Sequence, residues 1–277
     1  MRKLLSILLL AAFCSCTGQK EWEDTPSELV VEGWIEAGRA PVVMVTSTVA
    51  PSTEFRSMEE LQDHILKWAK VSVSDGDTTV VLIGKPDSDY FPPYIFTTGW
   101  MSGKAGKRYT LTVEYGGRVA SASTSITDPE ALAEVKAVPV EGSDGMFTIV
   151  ARLNNTAGSK KFYRFFLMVD GTDTSFLPAF PGAYSSEGLA PNAEITLTRG
   201  HTLNTDLMQT QFKRGEKVYV KFCTMDEGAW RFWSDFDDSA YTNIPLFPVY
   251  KNPATNIEGG LGYWAGYGAN YYTVVVD

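Results

Sequence analysis

Cys16 is the residue whose chemistry the sequence indicates most clearly. The chain begins with two cationic residues, continues with an apolar run over residues 4–13, and places the small Ser15 directly before Cys16. This order is typical of a bacterial secretory signal that ends in a lipobox, after which the new N-terminal thiol is acylated. We therefore predict a signal peptide over residues 1–15, a lipid on Cys16 and a location outside the cytoplasm.

A plain secretory signal is the alternative, in which cleavage near Ala12 or Ser15 leaves Cys16 unmodified. Cys14 is a rival acceptor, but the bulky residue directly before it makes it the poorer one. With cleavage before Cys16 and a lipid on that residue, the mature chain keeps only Cys223 as an internal cysteine. Because one internal cysteine cannot form an intrachain disulfide framework, a hydrophobic core must stabilise the protein.

A second group of candidate residues lies in the C-terminal half. The apolar spacing predicts a helix near residues 229–241, with Trp230, Asp237 and Tyr241 along one edge of its apolar stripe. Two aromatic rings with a carboxylate between them suit recognition of a sugar or a peptide. Aromatic residues also seal helices against neighbouring loops, and that interpretation is favoured because burial alone accounts for it. Both interpretations stay open.

A glycine-rich stretch within residues 247–267 carries the remaining candidates. It is not a phosphate-binding loop, because no Lys-Ser or Lys-Thr pair follows it and no helix opens after it. The glycines instead allow close backbone approach, and we expect Tyr263, Trp264 and Tyr267 to pack there. These three residues are further candidates for ligand or partner binding.

The motifs of nucleophilic and metal-dependent catalysis are missing from the sequence. His64 and His201 are the only histidines, and neither has metal-ligand spacing or belongs to a known catalytic motif. The acidic residues around the predicted helix lack the alternation and the glycine of a calcium loop. We therefore expect no metal, no cofactor and no catalytic residue. The net charge of −9 argues against a nucleic-acid partner.

The pattern along the rest of the chain predicts a mainly β protein. Short runs rich in β-branched and aromatic residues alternate with turns that contain Gly, Asp or Asn. This spacing indicates two β-sandwich-like domains with one or two short helices. The first, immunoglobulin- or transthyretin-like, is expected over residues 29–128. A C-terminal β-rich domain is expected over residues 129–277, and the chain is long enough for two cores.

A helix is also expected in the N-terminal half. Residues 57–60 form a capping box. Met58, Leu61, Ile65 and Trp68 then recur at three- and four-residue spacing, which places them on one helix face.

Residues 16–28 form a lipidated, polar and flexible tether. Its acidic cluster close behind Cys16 resembles the export signal that takes Bacteroidetes-type lipoproteins to the exterior face of the outer membrane. No second apolar stretch approaches the roughly 20 residues of a membrane helix. We therefore expect the N-terminal lipid alone to hold the protein to the outer membrane, facing the cell exterior.

Three segments carry a resemblance to a known family. They read LVVEGWI at residues 29–35, VSVSDG at residues 71–76 and NIEGGLGY at residues 256–263. Together they resemble the domain-of-unknown-function family 4249 of Bacteroidetes lipoproteins, over nearly the whole mature chain. The resemblance implies an outer-membrane lipoprotein commonly encoded beside a TonB-dependent receptor, with an accessory role in nutrient binding or uptake. It supplies no catalytic residues.

Three functional interpretations follow. The favoured one is a noncatalytic cell-envelope lipoprotein that binds a small ligand, a glycan or a peptide, or a TonB-dependent receptor. The second is a surface hydrolase that acts on glycans or peptides through its carboxylates. The third is an adhesion or assembly subunit that donates the terminal strand near residues 271–276 to a neighbour, although internal pairing of that strand is favoured.

Overall fold

A computed structural model describes residues 27–49, 60, 62–154, 160–199, 210–242 and 252–277, with the backbone alone described for residues 240–242. The predicted signal peptide, Cys16, most of the tether and His201 lie outside these ranges. The described chain forms strands β1–β16, a short 3-10 helix at Ser186–Gly188 and one longer helix, α1, at Glu227–Thr242. The strands are β1 Leu29–Glu36, β2 Val42–Ser47, β3 Lys70–Ser74, β4 Thr79–Val81, β5 Ile83–Pro86, β6 Tyr94–Thr97, β7 Arg108–Tyr115, β8 Arg118–Ser125, β9 Leu132–Pro139, β10 Met146–Leu153, β11 Phe162–Val169, β12 Leu177–Ser185, β13 Glu194–Leu197, β14 Phe212–Lys213, β15 Lys217–Met225 and β16 Leu261–Val275.

One eight-stranded sheet runs through the molecule in the order β12-β11-β15-β16-β1-β2-β6-β5. Two four-stranded sheets pack against it. The first, β4-β3-β7-β8, covers the half that contains β1 and β2, and the second, formed by β9, β10, β13 and β14, covers the half that contains β11 and β15. The mainly β, sandwich-like fold predicted from the sequence is confirmed.

Each half has its own hydrophobic core between the large sheet and its smaller partner. In the first core, Val31 and Ile35 of β1 pack with residues of β3 and β7 such as Val73 and Leu111. The second core joins residues of β11 and β15 to β10, for example Phe165 to Ile149. Alternation explains this arrangement, because every second residue of a strand faces the same side. The predicted boundary at residues 128–129 falls between β8 and β9 and stays a prediction.

Strand β16 belongs to both halves. Its first part pairs in parallel with β1, so that Val30 lies opposite Leu261 and Glu36 opposite Tyr267. Its second part pairs antiparallel with β15. The terminal strand therefore pairs internally, as favoured from the sequence, and the core of the first half contains Trp264 from the far end of the chain. Gly33 makes room for this indole, because a Cβ atom there would lie 2.9 Å from Trp264 Cε3.

The two predicted helices differ in outcome. The C-terminal one is present as α1 and extends slightly beyond residues 229–241 at both ends. The N-terminal one falls partly on residues 57–59 and 61, which lie outside the described residues. Residues 60 and 62 are helical, but residues 63–69 form turns and an isolated bridge, with Ile65 buried and Trp68 90% exposed. The prediction that Trp68 shares a packed helix face with Ile65 is wrong, because turns do not keep the 3.6-residue period.

Candidate functional site

The large sheet has an outer face, which is the face opposite to the two sandwich cores. Strand β16 defines it with Tyr263, Ala265 and Tyr267, whereas Trp264 points into the core. Helix α1 packs on this face through a third hydrophobic cluster that includes Ala229 and Trp233. The outer face is therefore covered at one end by α1 and open beside it.

An aromatic cavity of about 880 Å³ occupies the open part of the outer face. Its floor consists of side chains from β1, β2, β11, β15 and β16. Its walls come from Trp233 of α1, from the loops at residues 88–91 and 174–176, and from the start of β12 at residues 177–178. This volume lies within the range of about 300–1,000 Å³ typical of small-molecule sites. Both halves of the molecule contribute to the cavity, which sits where β16 crosses from one to the other.

Strand β1 supplies the acidic part of the floor. Because side chains alternate along a strand, Glu32, Trp34 and Glu36 face the cavity while Val31 and Ile35 enter the core. The two carboxyl groups on this one strand have different surroundings.

Glu36 is fully engaged by its neighbours. It is 2% exposed, and its Oε2 lies 2.5 Å from Lys221 Nζ of β15. Arg39 Nε lies 3.2 Å from Oε1 of the same carboxylate, and the hydroxyl of Tyr271 donates a hydrogen bond to it. Burial, followed by this hydrogen bond to Glu36, raises the pKa of Tyr271. These contacts form a closed charged network that ties β1 to β15 and β16.

Glu32 is open to the cavity. It is half-buried, and within the described part of the chain it forms no hydrogen bond or salt bridge. Desolvation raises the pKa of this carboxyl group above its ordinary value. Its cross-strand partner on β16 is Tyr263, whose pKa is also raised, chiefly by burial and further by Tyr267 and by the nearby charge of Glu32. Glu32 is thus an available carboxylate next to aromatic rings.

Aromatic rings surround these carboxyl groups. The ring centroids of Trp34 and Tyr90 lie 6.1 Å apart, and those of Trp233 and Tyr263 lie 5.0 Å apart. Phe176 of the second loop packs edge-on against Tyr271 of the floor. The cavity therefore offers flat apolar surfaces with a few fixed polar groups, which is the usual composition of a binding site.

A buried ion pair holds α1 and its Trp233 in place. Arg164 Nη1 of β11 donates to Asp237 Oδ2 of α1 at 2.7 Å, and the same oxygen accepts from the backbone N–H groups of Gly182 and Ala183 at 2.9 Å each. The Arg164 guanidinium also lies 4.3 Å from the centroid of the Trp233 ring system. This pair connects the helix to β11 and β12 and fixes one wall of the cavity.

The residues singled out in the sequence have several different locations. Tyr263 and Tyr267 line the cavity. Trp264 is fully buried on the opposite side of the sheet, where its indole N–H donates to the Tyr109 carbonyl at 3.0 Å. Asp237 is on the buried face of α1. Trp230 of the same helix stacks on Phe162 with a centroid distance of 4.8 Å. Tyr241 belongs to α1, but its side chain lies outside the described residues.

The structure thus brings Tyr263 and Tyr267 together with residues that the sequence analysis missed: Glu32, Trp34, Glu36, Arg39, Lys221 and Tyr271. A signal for some of them exists in the sequence. Lys221 interrupts an otherwise apolar run in β15, and the two glutamates interrupt β1. Charged residues inside strands that are otherwise buried mark a place where function outweighs burial.

Other candidate chemistries find no site among the described residues. No group of three or more His, Cys, Asp or Glu side chains there is placed to hold a metal ion. Burial raises the pKa of the Cys223 thiol to about 12, so the thiolate needed for nucleophilic reactions does not form at neutral pH. No helix in the described ranges is both long and apolar enough to cross a bilayer.

Comparison with known proteins shows the family to which the chain belongs. A search of curated proteins finds nothing significantly similar to the chain. A protein-family model described as a domain of unknown function, DUF4249, matches residues 19–272. Because this match covers the cavity, both sandwiches and nearly the whole sequence, the chain belongs to the DUF4249 family.

Proposed function

We propose that this protein is a noncatalytic, lipid-anchored envelope protein that binds a small ligand in the aromatic cavity and assists a TonB-dependent receptor in nutrient uptake. The observation that carries the proposal is the cavity of about 880 Å³ on the outer face. It combines an open carboxyl group, Glu32, with several aromatic walls. Such concave, mostly apolar sites with a few convergent polar groups are the common form of ligand sites.

The state of the carboxyl groups supports binding rather than turnover. Hydrolysis of a glycosidic bond by the common mechanism needs two carboxyl groups free to act as acid and as base or nucleophile. Glu36 is held by Lys221, Arg39 and Tyr271. Among the described lining residues this leaves Glu32 on the floor and Asp89, which is exposed at the rim, so the floor itself has one open carboxyl group. A single carboxylate beside aromatic rings suits recognition.

The anchoring part of the proposal is supported by the lipobox-like Cys16 and by the tether behind it. A tether of residues 16–28 spans at most about 45 Å when extended, which is enough to hold the folded part clear of the lipid headgroups. The receptor partnership is supported by the family resemblance, since such lipoproteins are commonly encoded beside TonB-dependent receptors. A ligand held in an open cavity would then be presented to the receptor.

Metabolic palmitate labelling tests the anchor. We expect the wild-type chain and Cys14→Ala to be labelled and to sediment with envelopes. Cys16→Ala should be unlabelled and released into the soluble fraction. Cys223→Ser is the matched control, because its buried thiol is not an acylation site, and it should behave as wild type. Label that persists in Cys16→Ala would refute the anchor.

Purification of the native protein under mild detergent extraction tests the partnership. A TonB-dependent receptor should copurify in stoichiometric amount, and its absence in repeated preparations would contradict the accessory role. Incubation of the same material with peptide and glycan mixtures tests the noncatalytic assignment. Turnover that is abolished by Glu32→Gln would show that the cavity is an active site and would overturn the proposal.

A further inference from the structure

We propose that the aromatic cavity binds an organic cation, whose ammonium or guanidinium group contacts the Glu32 carboxylate among the surrounding rings. This inference rests on the proposed ligand-binding function and assigns the chemical class of the ligand. It follows from three observations on the cavity: its charge balance, its aromatic surfaces and the contacts that cations already make on the same face.

The charge balance of the cavity is negative. Its lining contains three carboxylates, Glu32, Glu36 and Asp89, and two cationic side chains, Arg39 and Lys221. Both cations are engaged with Glu36. Within the described residues, Glu32 on the floor and the exposed Asp89 at the rim therefore have no countercharge. A cationic ligand would supply it.

The cost of leaving Glu32 without a countercharge differs between ligand classes. Desolvation already raises the pKa of this carboxyl group, and a ligand that fills the cavity removes more water from it. A neutral sugar would leave the carboxylate buried without a countercharge, and an anion would repel it, both of which are unfavourable. A bound cation offsets this penalty with a charge-assisted hydrogen bond. The cavity therefore discriminates in favour of cations.

The rings near Glu32 suit the same ligand. Trp34 lies two residues further along β1, and Tyr263 lies opposite Glu32 on β16. Their neighbours are Tyr90, 6.1 Å from Trp34 between ring centroids, and Trp233, 5.0 Å from Tyr263. Ring faces attract ammonium and guanidinium groups within about 6 Å, most strongly when water is excluded. A carboxylate flanked by such rings recognises both the charge and the apolar body of an organic cation.

The protein's own cations already contact other rings of the same cavity. Lys221 Nζ lies 5.2 Å from the Phe166 centroid and 5.3 Å from that of Tyr267. Arg39 lies over Tyr271 at 5.0 Å. A ligand cation beside Trp34 and Tyr263 would repeat, next to Glu32, the arrangement that Lys221 makes next to Glu36.

Calorimetric titration of the full chain, purified from membranes in a nonionic detergent, tests the inference. The cationic probes are choline, putrescine and the tripeptide Ala-Lys-Ala with an acetylated N-terminus and an amidated C-terminus. Each is paired with a neutral analogue: 3,3-dimethylbutan-1-ol, 1,4-butanediol and Ala-norleucine-Ala with the same two caps. We expect at least one cation to bind about tenfold or more tightly than its analogue. Tighter binding of the free amines indicates a small-amine ligand, and tighter binding of the tripeptide indicates a basic peptide side chain; both outcomes support the assigned class.

Two variants test whether the Glu32 carboxylate contacts the bound cation. Glu32→Gln keeps the shape of the side chain and should weaken cation binding about tenfold or more. The neutral analogues should bind this variant as tightly as wild type or more tightly, because they no longer desolvate a charge. Glu114→Gln is the matched control. This glutamate pairs with Lys70 on the surface of the β4-β3-β7-β8 sheet, so the variant should bind as wild type. Circular dichroism melts confirm that both variants are folded.

The outcomes separate the inference from the function on which it rests. Cations that bind no better than their analogues, or that bind Glu32→Gln as tightly as wild type, overturn the cation assignment. If a neutral disaccharide or an anionic dipeptide binds instead, and Trp34→Ala abolishes that binding, the cavity is a ligand site of another class. If no probe of any charge binds, both the inference and the ligand-binding function are refuted.

Discussion

Replacing Arg164 with Met should destabilise the protein more than any surface substitution. Arg164 is 0% exposed and pairs with Asp237, which is 5% exposed, at 2.7 Å. Methionine is an unbranched, uncharged side chain that occupies part of the space of arginine. Arg164→Met therefore leaves the Asp237 carboxylate buried on the inner face of α1, with two backbone N–H donors and no cation. Removing one member of a buried pair costs about 3–5 kcal/mol, a large fraction of a typical stability of roughly 5–15 kcal/mol.

A double variant that removes both charges of this pair should be more stable than Arg164→Met alone. Arg164 Nε and Nη2 and Asp237 Oδ1 are buried without hydrogen-bond partners in the described structure. The pair is therefore incompletely satisfied, and removing both charges should cost less than removing one. Arg164→Met combined with Asp237→Asn keeps an oxygen that can accept from Gly182 and Ala183. We expect it to recover about 2 kcal/mol relative to Arg164→Met alone.

Urea denaturation followed by tryptophan fluorescence measures these differences, with the midpoint and the slope compared between variants. Lys70→Met is the control, because Lys70 and Glu114 form an exposed pair on the surface that contributes about 0–1 kcal/mol. A loss for Arg164→Met no larger than that for Lys70→Met would refute the reasoning. So would a double variant that is less stable than Arg164→Met.

Three further predictions follow from burial. Glu32→Gln should raise the free energy of unfolding by about 0.5–2 kcal/mol at neutral pH. Because the pKa of Glu32 in the folded protein lies above its ordinary value of 4.5, the free energy of unfolding of the wild type should fall as pH rises from that ordinary value through the folded-state pKa. Melts of Glu32→Gln at different pH values should lack this fall. The Cys223 thiol should react with a disulfide reagent only after denaturation, and stoichiometric labelling of the native protein would contradict its burial. A fragment of residues 27–128 lacks β16 and Trp264 and should show no cooperative melt, whereas a cooperative one would show that this half folds alone.

The parts of the fold that depend on local pattern could be predicted from the sequence. The hairpin of β3 and β4 turns at residues 75–78, and that of β7 and β8 turns at Gly116-Gly117, as the turn residues indicate. Helix α1 likewise follows the spacing of its apolar residues. In each case a short stretch of sequence contains both the element and its end signals.

The pairing of distant segments could not be predicted in this way. Strand β16 pairs in parallel with β1 from the other end of the chain, and nothing in either segment alone specifies that partner. The terminal strand predicted from the sequence begins near residue 271, whereas β16 begins at Leu261. Its glycine-rich first part looks like a loop because glycine weakens the strand pattern, yet glycine there permits close approach, since a Cβ at Gly266 would lie 2.7 Å from the Ser125 carbonyl carbon.

This misplaced strand boundary also explains the grouping of candidate residues. In a loop, Tyr263, Trp264 and Tyr267 can form one surface. In a strand, Tyr263 and Trp264 are neighbours and must point to opposite faces. Trp264 accordingly enters the first core, while Tyr263 and Tyr267 face the cavity. Assigning the glycine-rich run to a strand would have placed Trp264 on one face of the sheet and the two tyrosines on the other.

The cavity owes its position to the same strand. Because β16 pairs with β1 in one half and β15 in the other, it brings Glu36 within reach of Lys221. Neither half has both members of this pair, so the charged floor exists only when the two sandwiches share their sheet. The closed network around Glu36 satisfies the charges that join the halves. Glu32, four residues earlier on the same strand, has no charged partner among the residues that the structure describes. The acidic group whose burial costs stability is therefore the one available to a ligand.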